Sequence, residues 1–313
     1  MIHTKLGGEY KISAYKMVDG KRVNERVLSD WFPNLITNLG LNYIAENDGW
    51  VPYCHVGSSS NAPAVTDISL VTPVAVSPSI SAQMSGAATV NGSSPYESYK
   101  IYTYTFGIGV AAGNLSEVGV GWGTGLGSLF SRALILDTGG SPTTITVLSD
   151  EYLEVKYKLT YYPIITDTTG TVTFTGGIGG TYDFILRTAS VLSLVRPFST
   201  TYMLNIAMGR SSSLEYDWET YYGDIGAITS KPANAIAISG GFDSFTNAAY
   251  VTDSFELYLT LVLGLTKGNH VSGLRSIFFP WGINYHQCQF DPAIPKTSDD
   301  IVTLTFKKTW GRV

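Results

Sequence analysis

From Leu153 to Tyr161 every second residue is apolar (Leu153, Val155, Tyr157, Leu159, Tyr161), and near the far end Val302, Leu304, Phe306 and Trp310 follow the same rhythm. A period of two over that length predicts a strand with one buried face, since a helix needs apolar spacing of three to four. The two stretches are also near-copies: "SDEYLEVKYKLTYY" begins at Ser149 and "SDDIVTLTFKKTW" at Ser298. One inward position breaks the likeness, where Leu159 is answered by Lys308. That charge predicts a second strand more exposed at this end than the first.

Other blocks return in the same order. "HVGSSSNAPAVTD" (His55 to Asp67) is echoed by "AMGRSSSLEYDWE" (Ala207 to Glu219), and "YKIYTYTFGIGVAAGN" (Tyr99 to Asn114) by "FELYLTLVLGLTKGN" (Phe255 to Asn269). All three echoes lie about 150 residues apart, which predicts an internal duplication, with copies at 1–163 and 164–313. The boundary falls in "YYPIITDTTG", where a proline follows a strand and a Thr/Asp/Gly cluster follows the proline. Each copy opens on a hairpin signal: Asp19-Gly20 between two alternating segments, and "GTVTFTGGIGGTYDFILRTA" in the second. "FPNLITNLGLNYIAEN" (Phe32 to Asn47) predicts a helix capped by Asn34, although Gly40 costs about 1 kcal/mol relative to Ala in a helix interior. Residues 62–94 and 224–247 are rich in Ala, Ser, Thr, Pro and Gly and read as long loops or irregular strands, hence as contact surfaces. The expected fold is all-β: two tandem antiparallel β-sandwich domains related by duplication, with one short helix near the N-terminus.

Composition supports that class and excludes others. Only 14% of residues are charged, against roughly 25% in ordinary soluble chains. Glycine (33) and tyrosine (20) are abundant, as many tight turns and strands require. The net charge is −5 and no stretch is basic, which argues against nucleic-acid binding. "MIHTKLGGEYKISAYK" lacks the apolar core of a secretory leader, and "FELYLTLVLGL" falls short of the roughly 20 residues a membrane helix needs. Two cysteines cannot make a disulfide framework, so folding in a cytosol without membrane insertion is the expectation.

The candidate chemistry is sparse. His286 and Cys288 share a strand face, but zinc needs three or four ligands, so ordinary packing and no metal or cofactor are expected. "GIGVAAG" and "GVGWGTGLGS" lead into the alternating "LFSRALIL", whereas phosphate cradling requires a helix N-terminus. Asp150/Glu151 and Asp299/Asp300 recur at the entry to equivalent strands, as solvated turns do. With no Gly-x-Ser-x-Gly elbow either, the chain reads as a non-enzyme. One cluster stands out: "LEYDWETYYGD" sets Tyr216, Trp218, Tyr221 and Tyr222 among Glu215, Asp217, Glu219 and Asp224. It is either an exposed aromatic surface for a glycan or protein, or a core strand flanked by turns.

In their order, "NLITNLGLNYIA" (Asn34 to Ala45), "HVGSSSNAPAVTD", "GNLSEVGVGW" (Gly113 to Trp122), "LFSRALIL" (Leu129 to Leu136) and "ITVLSDEYLEVKYKLTYY" (Ile145 to Tyr162) resemble a module of tail-fibre and tail-tip proteins of tailed bacteriophages. The likeness spans most of residues 1–163; the second copy lacks clear counterparts of Glu117 and Ser131-Arg132. It implies a virion subunit built of β-sandwich modules that works by assembly. The expected component is a tail tip, collar, baseplate or fibre-attachment subunit. Its partners would be copies of itself and other tail proteins, and in a second reading a host surface glycan. Its location would be the virion tail, assembled in the host bacterial cytoplasm.

Overall fold

The computed structural model describes residues 1–47, 49–77, 80–87, 96–189, 218–238, 240–281 and 284–313. Their regular structure is almost entirely strand, with one helix, Asn38–Glu46, and the all-β expectation holds. They divide into two compact units. The first comprises Lys5–Gly86, Ser98–Tyr161 and Gly311–Val313; the second comprises Met1–Thr4, Ala87–Glu97 and Tyr162–Trp310, each as far as it is described.

In the first unit one sheet runs Ile80–Ala87, Ser98–Phe106, Tyr152–Tyr162, Ile2–Val18 (from Lys5 onward) and Lys21–Pro33. The other runs Leu35–Ile36, Leu129–Leu134, Glu117–Gly121, Tyr53–Gly57 and Pro73–Val76, antiparallel throughout. The inward faces meet through aromatic rings. Tyr10 of the first sheet packs 4.8 Å from Tyr157, ring to ring, and its hydroxyl lies 2.8 Å from Ser131 Oγ of the second. Tyr104 donates to the Val51 carbonyl at 2.5 Å, so this phenol finds a partner in the core, as a buried tyrosine requires.

The second unit repeats that wiring. Glu219–Tyr221, Ala235–Ala237, Ser244–Asn247, Glu256–Leu263, Leu274–Trp281, Asn284–Ile294 and Val302–Arg312 follow one another with the sheet neighbours of the first unit's run from Tyr53–Gly57 to Tyr152–Tyr162, except that the first unit's Gly113–Leu115 and Ile145–Val147 pair has no counterpart among the described strands. The closing strands even share a register. Leu153 faces Phe106 and Leu159 faces Lys100 in one unit; Val302 faces Leu263 and Lys308 faces Leu257 in the other. The opening hairpins differ. Lys21–Pro33 pairs with Ile2–Val18 in the sheet of the closing strand, whereas Thr168–Thr173 and Thr181–Ala189 join the opposite sheet beside Asn284–Ile294. In the first unit the corresponding place beside Leu129–Leu134 holds only Leu35–Ile36.

Two expectations are corrected. The helix starts later than Asn34, because Leu35 and Ile36 pair with Arg132 and Ser131, and Thr37 caps the helix by accepting from Gly40 N at 2.9 Å. Gly40 is required rather than merely tolerated: a Cβ there would lie 2.4 Å from the Phe130 carbonyl oxygen, so helix and strand touch backbone to backbone. Lys308 is not exposed either; its exposure is 0%. The inward register is right, but the stem fills the core opposite Leu257 while Nζ donates to the Trp281 carbonyl at 2.7 Å, 5.7 Å from that residue's ring. The Leu159 rung is its mirror image, for the buried lysine there is Lys100, on the partner strand.

Burial drives the Lys308 ammonium down to about 7. Burial, and next the Lys308 charge, also push the His286 imidazole well below its usual range, while a hydrogen bond to the Trp281 backbone opposes them. A lysine with a depressed folded pKa binds fewer protons than it does unfolded, so stability rises with pH between its folded and unfolded values. Between pH 7 and 9 urea unfolding should show a gain of about 2 kcal/mol from this group. Lys308→Met should be more stable than the parent at pH 7 and should lose that slope; an unchanged slope would remove Lys308 as its source.

Candidate functional site

Two charged residues sit within otherwise apolar strands of the first unit, Glu117 in Glu117–Gly121 and Arg132 in Leu129–Leu134. They are 0% and 1% exposed and lie on neighbouring strands, where Arg132 Nε and Nη2 both approach Glu117 Oε2 at 2.8 Å. A charge at that depth is tolerated only if paired and hydrogen-bonded, and every remaining valence is directed at one loop. Glu117 accepts from the backbone N–H of Ser59 (3.4 Å), Val71 (3.2 Å) and Thr72 (2.8 Å). Arg132 donates to the Asn61 carbonyl (2.8 Å), the Ala62 carbonyl (3.4 Å) and Asp67 Oδ2 (2.7 Å).

The Gly-Ser loop after Tyr53–Gly57 is thereby nailed to the sheet at both ends. Gly57 permits it, since a Cβ at that position would stand 2.5 Å from both Glu117 Oε1 and the Thr72 oxygen. The clasped loop turns Ile68 (51% exposed), Val71 and Val74 outward, beside Leu126 (81%) on the turn between the two charged strands. Beneath them lies a cleft of about 230 Å³ lined by His55, Ile68, Leu70, Val76, Leu126 and Leu129 among others. His55 is tied to the Gly123 carbonyl at 2.9 Å, and burial lowers its basicity. An apolar rim held rigid by buried charge can bind by contact and shape.

The aromatic segment behaves differently. Tyr216 lies outside the described residues. Trp218 is 2% exposed, stacked 4.8 Å from Phe245 and edge-on to Phe242, so its ring is core. Tyr221 is buried and donates to Glu219, which also receives Lys231 Nζ at 2.6 Å. Of the segment's described aromatic residues only Tyr222 reaches solvent, 38% exposed and stacked 4.0 Å from His270. Trp218 and Tyr221 therefore have no face free for a sugar ring: Trp218, just before Glu219–Tyr221, is covered by Phe242, Phe245 and Phe279, and Tyr221 packs in a core cluster with Ala189, Phe278 and Tyr285.

Within the acidic pairs, Asp150, Glu151 and Asp300 have structural partners. Glu151 is bound by Arg26 through two oxygens and Asp150 by Lys16, while Asp300 accepts from the Thr297 amide and hydroxyl. Next to it Lys296, 1% exposed, donates to four oxygens, those of Gly264, Asn269 Oδ1, Thr297 and Asp300, and so closes the second unit's loop. His286 and Cys288 are both buried, and among the described residues no three His, Cys, Asp or Glu side chains converge as a metal site. No described helix is long and apolar enough to cross a membrane.

Sequence reading placed Glu117 and Arg132 in separate motifs and missed that they form one pair. The signal was a lone charge in each of two adjacent apolar runs, which demands a partner. No protein-family model matches the chain, and no curated protein and no solved structure matches it.

Arg132→Met should cost about 3–5 kcal/mol in urea unfolding, because it leaves Glu117 buried and uncompensated. Amide exchange at Ser59, Val71 and Thr72 should accelerate with it; protection equal to the parent's would show that the ion pair does not hold the loop. Trp218→Ala should likewise cost about 3–5 kcal/mol as a core truncation, whereas Tyr222→Ala should leave the unfolding midpoint unchanged.

Proposed function

We propose that the chain is a non-enzymatic structural subunit of a bacteriophage tail, at its tip, collar, baseplate or fibre attachment, acting by oligomeric assembly. The observation that carries the reading is the clasped loop. A buried ion pair rigidifies an exposed apolar rim in the module whose residues resemble tail proteins, and two motif residues of that resemblance, Glu117 and Arg132, are the ones that build it. The common strand order and closing-strand register of the two units further support an internal duplication. A duplicated module gives one chain two related faces, which suits a ring or a bridge between neighbours. In this reading the partners are copies of the chain and other tail proteins, the location is the virion, and neither nucleic acid nor a cofactor takes part. Glycan binding through the aromatic segment is the weaker reading, since of its described members only Tyr222 presents an accessible ring.

Peptide mass spectrometry of purified particles from the phage that encodes the chain should find it at a stoichiometric copy number. Particles made without it should lack a tail element by electron microscopy. Its absence from complete particles would sink the proposal.

A further inference from the structure

The sheet edges of the molecule are guarded unequally. Lys21–Pro33 carries Lys21, Arg22, Glu25, Arg26 and Asp30, ends in a proline, and its pairing with Ile2–Val18 shifts register at three places. Charge, proline and bulges are how proteins keep an exposed edge from pairing with another chain. Thr168–Thr173 has none of these. Its sequence is Thr-Thr-Gly-Thr-Val-Thr, and its register against Thr181–Ala189 runs unbroken from Thr168 opposite Leu186 to Thr173 opposite Thr181. It ends its sheet, and among the described residues its only strand partner is Thr181–Ala189. No residue in it is buried. Of the other uncharged edges, Ser244–Asn247, Ala235–Ala237 and Pro73–Val76 are short, the last opening on a proline, and Ile80–Ala87 runs into residues outside the described ones.

We infer that Thr168–Thr173 is a self-association edge, where two copies of the chain join by antiparallel pairing about a two-fold axis through Thr171, extending the sheet across the interface. The sequence is self-complementary in that register. A two-fold pairing that keeps each face continuous opposes residues of like parity. Thr171 then meets Thr171, and Thr169 meets Thr173 on either side, all on the more exposed face. On the other face Gly170 meets Val172, where the missing side chain leaves room for the branched one. The same contact already operates inside the molecule, with Thr173 Oγ1 2.9 Å from Thr181 Oγ1 and Thr260 Oγ1 3.1 Å from Thr305 Oγ1. A second copy is the fitting occupant because an uncharged strand of repeated threonines selects its own likeness and offers no charge to a different partner. One short strand buries less than the roughly 1,000 Å² of a stable interface, so the contact is weak between two free chains and is reinforced where many copies are arrayed.

This inference rests on the assembly reading and names one surface through which like chains meet. Sedimentation of the full chain over a concentration series should show reversible association at the high end, lost in Thr171→Lys without a change in thermal unfolding. Thr171→Cys should form an intermolecular disulfide on copper–phenanthroline oxidation, since directly opposed strand residues have Cα atoms about 4.5–5.5 Å apart, within disulfide reach. Ser141→Cys, on an exposed turn, should not, and the native Cys54 and Cys288 are buried and stay out of the reaction. If the parent associates and Thr171→Lys associates equally, the edge is wrong while the assembly reading stands. A Thr171→Cys yield no higher than that of Ser141→Cys overturns the edge as well. A chain that is absent from particles, yet whose Thr171→Cys variant cross-links, keeps the edge and loses the tail assignment.

Discussion

Glu117 and Arg132 set the constraint on which the first unit's outer surface depends. Neither side chain can stand alone at that depth, and their strands are adjacent in an otherwise apolar sheet, so each must satisfy the other. The pair has more hydrogen-bonding capacity than two residues can use between themselves. The surplus goes to backbone groups from Ser59 to Thr72, which would otherwise depend on solvent. The loop's leading stretch, Ser58 to Ala64, is all Ser, Asn, Ala and Pro and has little apolar surface of its own to fold around. Here its shape is imposed from beneath, and the residues left outside, Ile68 and Val71, become a rim of defined geometry rather than a flexible excursion.

The second unit solves comparable problems with other residues. Where the first unit closes a loop onto the turn before its last strand by a direct bond from Gly109 N to the Glu151 carbonyl, the second inserts the Lys296 ammonium among four oxygens. On the sixth rung beyond Leu153/Phe106 and Val302/Leu263, a lysine faces a leucine in both units, but on opposite strands. The space at that rung accommodates one long stem and one branched side chain, and the order is immaterial to the volume filled. The charge that comes with the stem is the cost. Lys308 meets it with one carbonyl and an aromatic face, and its depressed basicity measures how incompletely that offsets the lost hydration.

Moving the opening hairpin from one sheet to the other has the larger consequence. In the first unit the outer strand of the hairpin, Lys21–Pro33, bends through bulges and reaches back with Arg22 and Arg26 to Glu154 and Glu151. In the second the outer strand, Thr168–Thr173, is unbulged and uncharged. Two hairpins with similar turn signals thus differ in what their free edges can do. The abundance of tyrosine likewise has an interior cause. Tyr10, Tyr102, Tyr104, Tyr157 and Tyr161 fill the first unit's core, so a composition that looks suited to interfaces largely describes how the sandwich is packed.

Alternation alone determined the all-β class, the two closing strands and the inward side of each, because the period of side-chain direction is a local property of extended backbone. It also fixed the turn at Asp19-Gly20, whose left-handed φ values suit an Asx-Gly pair. Tertiary structure decided what those positions face. Asn34 lost the helix cap to Thr37 because Leu35 and Ile36 were claimed by a strand about a hundred residues away. Lys308 is buried although it is charged, since a carbonyl and a ring wait for it beyond the register. Trp218 and Tyr221 are interior because rings from other strands and loops, among them Phe245, Phe278 and Phe279, pack over them, and Glu117 meets Arg132 because a hairpin folds one strand onto the next. Each of these outcomes depends on contacts between residues far apart in the chain or on neighbouring strands, and no local periodicity carries that information.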